Sequence, residues 1–138
     1  MSKTFEDWVK EYENKTGEKY EVDERFRTFF EPEKGFAQMT ETASMIVVNQ
    51  CCGDAQYWKG KAEELAKEKG KSHLGTWCIR EILPYIKLFG YEIEKIEELP
   101  EGMKRYHCRN KKTGKVGLAS PSFRSKNGNI GYMITCEV

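Results

Sequence analysis

The stretch from Ser44 to Ile79 constrains this chain more than any other. "SMIVVNQCC", Ser44 to Cys52, is a nearly continuous apolar, β-branched run, the pattern of a strand covered on both faces. Gly53 ends it. From Ala55 to Lys69, Trp58, Ala62, Leu65 and Ala66 recur at helical spacing, with Asp54 placed as N-cap and Gly70 just past the end. "HLGTWCI", His73 to Ile79, then reads as a second buried strand. Strand, helix and strand within about 35 residues make a βαβ unit, whose strands run parallel through a right-handed crossover. Trp58 and Trp77 are both assigned to the core.

The rest of the chain arranges itself around that unit. In "TFEDWVKEYENKTG", Phe5, Trp8, Val9 and Tyr12 share one helical face, Thr4 and Asp7 are spaced as a capping box, and Gly17 is a stop. "RFRTFF" and "FAQMTE" flank the turn "EPEKG" and read as a hairpin. After the βαβ unit, "REILPYIKLFG" predicts a short helix with Pro84 in its first turn and Gly90 as its stop. "YEIEKIE" alternates like a strand, and "MKRYHCR" and "KVGLA" flank the turn "NKKTG". "SPSFRSKNGNIGYMITCEV" carries Asn127-Gly128 between two strand-like runs, a hairpin signal. The expected fold class is α/β (α+β): a single mixed, mostly antiparallel sheet with a central parallel pair and helices on both faces. One domain is expected to span residues 1–138.

Composition narrows the function classes. Lys and Arg number 23 against 22 Asp and Glu, so no global field draws the chain to nucleic acid or an anionic membrane. The most basic stretch, Lys104 to Lys115, reads as a solvated hairpin with a Lys-rich turn. Nucleic-acid binding there, with Tyr106 stacking, has no recognised motif to support it. The five cysteines lack metal-ligand spacing, and four of them lie in apolar runs, as small buried hydrophobes do. Reduced thiols and no metal are expected. A catalytic Cys–His pair would have to use His73 or His107. No stretch is apolar enough for a membrane span or a signal peptide, so the expected location is cytoplasmic.

The order of elements, and above all "LAKEKGKSHLGTWCIREILPYIKLFGYEIEK", resembles the GNAT superfamily of N-acetyltransferases. In that family a helix ending A-x-x-x-G leads to a strand, then to a helix ending in Gly-aromatic, then to another strand. Ala66 to Gly70 and Gly90-Tyr91 stand at those landmarks. The likeness runs from about Phe26 to Glu97.

The resemblance implies an acetyl-coenzyme A site beside the central strand, at Val48, with the pyrophosphate on backbone N–H groups at the start of the long helix. The family's loop, Q/R-x-x-G-x-G/A, is matched by Gln50, Gly53 and Ala55, while Asp54 sets a carboxylate where the pyrophosphate would dock. Asp54 is either a cap in place of a phosphate or a neighbour of one. Arg80 is a further candidate for the cofactor, or an ion-pair partner of Glu81. The family's acid, a Tyr four residues before Gly, falls on Ile86 here, so Tyr85 is the nominee from the adjacent position. Glu41 is nominated as base. Two function classes follow. One is an acetyl-coenzyme A-dependent N-acyltransferase acting on a small-molecule or protein amine. The other is a non-catalytic protein of the same fold, of a phage or mobile-element accessory type, acting through protein–protein contacts. A homodimer through the edge of "GYMITCEV" is also expected.

Overall fold

The computed structural model describes residues 3–78, 82–124, 128 and 130–138. The chain divides into two compact units, Met1–Lys71 and Ser72–Val138. Its class is α+β, and every strand pairing within each unit is antiparallel.

The first unit runs α1 (Phe5–Thr16), β1 (Arg27–Glu31), β2 (Gly35–Glu41), β3 (Met45–Gly53) and α2 (Ala55–Glu68). The α1 start is set by a reciprocal capping box. Thr4 Oγ1 accepts the Asp7 N–H, the Asp7 carboxylate accepts the Thr4 N–H, and Gly17 closes the helix in the left-handed conformation. Strands β1, β2 and β3 form a meander, with Phe29 opposite Ala37 and Phe36 opposite Cys52. Gly35 to Met39 is buried without a break, which requires cover on both faces of β2. On one face α1 supplies Trp8 to a cluster with Phe36 and Cys52. Phe5, Tyr12 and Tyr20 surround the Phe36 ring edge-on, at centroid distances of 5.4, 5.7 and 5.2 Å. Helix α2 contributes Trp58, Ala62 and Ala66, all buried.

The second unit runs β4 (His73–Cys78), α3 (Ile82–Leu88), β5 (Tyr91–Glu98), a turn of 3₁₀ helix at Pro100–Gly102, β6 (Lys104–Asn110), β7 (Val116–Arg124) and β8 (Ile130–Glu137). Its strand order is β4-β8-β7-β6-β5. Pro84 sits in the first turn of α3, where its missing N–H costs nothing. The core joins Cys78, Ile82 and Ala119, with Tyr85, Ile86, Tyr106, Tyr132 and Ile134 packed around them.

Three expectations change here. "KVGLA" and "SPSFR" are one strand, β7, with Pro121 at a register shift between Pro121 and Phe123, where a residue without an N–H is tolerated. "GYMITCEV" is no edge, because β8 lies between β4 and β7. Trp77 is 41% exposed rather than core, since its neighbour Cys78 points into the α3 cluster and strand alternation turns Trp77 the other way. The expected parallel pair falls on β3 and β4, which belong to different units. Antiparallel β7 and β8 form the predicted last hairpin, although Asn127 lies outside the described residues. All five cysteines are free thiols. Among the described residues no helix is long and apolar enough to cross a membrane.

Candidate functional site

The candidate residues gather at the β3–α2 junction. Gly53 closes β3 with φ 114° and pairs with Gly35, itself at φ 95°. A Cβ on either glycine would overlap the facing backbone, Lys34 O for Gly53 and Cys52 O for Gly35. The two glycines are therefore explained by the close approach of two backbones.

Asp54 is the N-cap of α2, and its Oδ1 accepts the Tyr57 N–H at 3.0 Å. Its Oδ2 faces Lys34 Nζ at 3.2 Å. The backbone is engaged as well. The Asp54 N–H donates to Lys34 O at 2.9 Å, and the Trp58 N–H donates to Asp54 O at 3.1 Å. Lys34 O also accepts Trp58 Nε1–H at 2.8 Å. Lys34 thus ties the β1–β2 turn to the helix start through its carbonyl and its ammonium. The sequence reading missed it, because it stands 20 positions before Asp54. The signal was the register: pairing "FAQMTE" with "SMIVVNQCC" brings the turn "EPEKG" against Gly53.

Gln50 is held by a polar network centred on Gln38, which is 1% exposed. Gln38 Nε2 donates to Tyr20 Oη and Glu21 O, at 3.2 and 2.9 Å. Gln38 Oε1 accepts from Asn49 Nδ2 and Gln50 Nε2, at 3.2 and 3.0 Å. The whole hydrogen-bonding capacity of this buried amide is met. Gln50 also exchanges two bonds with the Glu21 backbone, pinning the segment after α1 to the sheet.

Ala55 opens α2 at the same junction. The other candidates lie elsewhere. Val48 pairs with Met39 in the interior of β3. Glu41 pairs with Ile46 at the opposite end of β3, seven residues or about 23 Å of strand from Gly53. Its carboxylate reaches Lys71 at 3.3 Å and Lys69 at 3.8 Å. Tyr85, in the second unit, packs on Phe89 with ring centroids 6.3 Å apart. Arg80 and Glu81 lie outside the described residues. Among the described residues no three His, Cys, Asp or Glu side chains gather as a metal site.

Part of the basic stretch Lys104 to Lys115 is paired with acids of β5. Arg105 and His107 share Glu97, at 2.9 and 3.0 Å, Arg109 meets Glu94 at 3.1 Å, and Lys111 meets Glu92 at 2.8 Å. Cross-strand pairing accounts for these charges without a polyanion. Burial pushes the Cys51 thiol up to about 12 and raises those of Cys52 and Cys108, so these groups are poor nucleophiles.

Asp54 is held below the ordinary carboxyl value, first by the Tyr57 N–H and then by Lys34. Glu97 is lowered first by its hydrogen bond to His107 and then by Arg105. Depressed folded values mean that the unfolded chain takes up protons first as pH falls. The stabilisation is full above the ordinary carboxyl range and is lost as pH drops through the folded values. The melting temperature is therefore expected to decline below about pH 4. The decline should be shallower in Asp54→Asn, which keeps a capping oxygen without the charge. Circular dichroism melts across pH check this, and equal slopes for the two proteins would remove Asp54 from the account.

No protein-family model matches the chain, and no curated protein does. Among solved structures it is similar to the ribosomal-protein-S18-alanine N-acetyltransferase from Escherichia coli. That likeness has 13% identity and a TM-score of 0.47, over 100% of this chain and 92% of that one. At that score and identity the likeness fixes neither a fold family nor an activity for this chain.

Proposed function

We propose that this chain is a GNAT-like protein that works by binding a protein partner rather than by transferring an acyl group. The observation that carries the reading is that the Tyr57 and Asp54 N–H groups at the start of α2 already have protein acceptors, with a carboxylate beside them. A coenzyme A pyrophosphate needs main-chain N–H groups and a positive end at that place. Here the Asp54 carboxylate holds the Tyr57 N–H, Lys34 neutralises that carboxylate, and Lys34 O holds the Asp54 N–H. These donors do not fit the cofactor as they stand. Glu41, held by two lysines, and Tyr85, packed on Phe89, have structural partners as well.

One observation favours the acyltransferase reading. The landmarks of the resemblance occur in order: β3 ends at Gly53, α2 is followed by Gly70 with φ 68°, and α3 by Gly90 with φ 77° and then Tyr91 opening β5. On that reading Val48, Gln50, Gly53, Asp54 and Ala55 are the candidates for holding acetyl-coenzyme A, Tyr85 is the nominated acid, Glu41 the nominated base and an amine the acceptor; Arg80, a further nominee for the cofactor, lies outside the described residues.

Thermal melting separates the two. A ligand at 100 times its dissociation constant adds about 2.7 kcal/mol to the stability of the native state. With acetyl-coenzyme A near 1 mM the melting temperature is expected to stay where it is without ligand. A rise of several degrees, with acetylation of a mixture of amines, would overturn the binding-protein reading in favour of the enzyme.

A further inference from the structure

We propose that the chain self-associates through the free edge of β1, pairing antiparallel with β1 of a second copy about Phe29. Among the described residues of the first unit, strand β1 pairs with β2 alone. Its burial is low, with Phe29 the one residue of the five that is not exposed, and Phe30 is 39% exposed. An edge of this kind presents a row of backbone donors and acceptors to any strand that fits.

The sequence of β1, Arg-Thr-Phe-Phe-Glu, is complementary to itself. A two-fold axis at Phe29 sets Arg27 opposite Glu31 of the second copy, twice. It also sets Thr28 opposite Phe30 and Phe29 opposite its own copy. Paired residues have the same parity along the strand, so outward-pointing N–H and C=O groups meet outward-pointing groups. They also share a face, so each Arg27 guanidinium lies beside a Glu31 carboxylate. Arg27 already stacks over Phe29, 4.6 Å from the ring centroid, which holds the cation on the face where the opposite carboxylate arrives.

The end strand of the second unit, β5, shows what a closed edge looks like. Strand β5 carries Glu92, Glu94, Glu97 and Glu98 against Lys95, and antiparallel self-pairing about Lys95 sets Glu92 opposite Glu98. Acidic repulsion protects that edge, whereas the charges of β1 attract. Five residues per copy make a small contact, so association appears at high protein concentration. The inference is independent of whether the chain also binds coenzyme A.

Sedimentation equilibrium of the full chain from about 1 μM to about 1 mM is expected to show a monomer–dimer equilibrium. Arg27→Glu and Glu31→Arg each place like charges opposite one another twice, and each is expected to weaken dimerisation about tenfold or more. Mixing the two variants restores every opposite-charge pair, so the mixture dimerises although neither variant does so alone. Both positions are exposed, so melting curves for each variant are expected to match the wild type, which checks that the fold is kept. A wild type that stays monomeric throughout, a dimer indifferent to both reversals, or a mixture that fails to associate would each overturn the proposal.

Discussion

Replacing Trp58 with alanine is expected to lower the unfolding free energy by about 3–5 kcal/mol. Trp58 is 2% exposed, and its ring meets Tyr57 edge-on with centroids 5.0 Å apart. The helix beneath it is lined by Ala62 and Ala66, both at 0% exposure, so no long side chain of α2 can swing in to fill the void. The indole also donates to Lys34 O, the carbonyl that orders the β1–β2 turn against the start of α2. Trp58→Phe keeps most of the ring and loses that bond, for a smaller cost of about 1 kcal/mol plus some packing. Urea titration measures both changes as shifts in midpoint at unchanged slope. A loss under 1 kcal/mol for Trp58→Ala would mean that the site collapses around the gap, contrary to the packing described here.

The local chemistry of this fold was legible and its spatial order was not. Capping of α1 by Thr4 and Asp7, the Asp54 cap on α2, and Gly17, Gly70 and Gly90 as stops each depend on neighbours a few residues apart, and each occurs. Trp77 shows the limit. Alternation in "HLGTWCI" places Trp77 and Cys78 on opposite faces but does not say which face a helix will cover. Strand order is equally hidden, because β8 is inserted between β4 and β7 and no pattern within "GYMITCEV" encodes those neighbours. At the candidate site the carboxylate of Asp54 could be read from one residue. Lys34, which neutralises that carboxylate, reaches it only through the β2–β3 register. The buried Gln38 was likewise hidden inside a strand-like run, since its partners Tyr20, Glu21, Asn49 and Gln50 come from two other segments.

Gly53→Ala is expected to destabilise the protein by roughly 2–6 kcal/mol, combining backbone strain with overpacking. At φ 114° an L side chain is strained whatever the space around it, and here the new methyl would also overlap Lys34 O. To relieve that overlap the β1–β2 turn must move away from β3. The Asp54 N–H and the Trp58 indole then lose their shared acceptor. Gly17→Ala is the control, since its φ of 70° is also left-handed but a Cβ there meets nothing within 4 Å. It is expected to cost about 1–2 kcal/mol, the conformational strain without the clash. The comparison also bears on what Gly53 is for. A glycine kept only so that a phosphate can approach the backbone would tolerate a methyl in ligand-free protein and lose affinity alone. A large loss of stability without any ligand, measured by chemical denaturation, assigns Gly53 to the packing of β2 against β3. A loss no greater than that of Gly17→Ala would return Gly53 to the phosphate reading and weaken the case that Asp54 and Lys34 have closed the site.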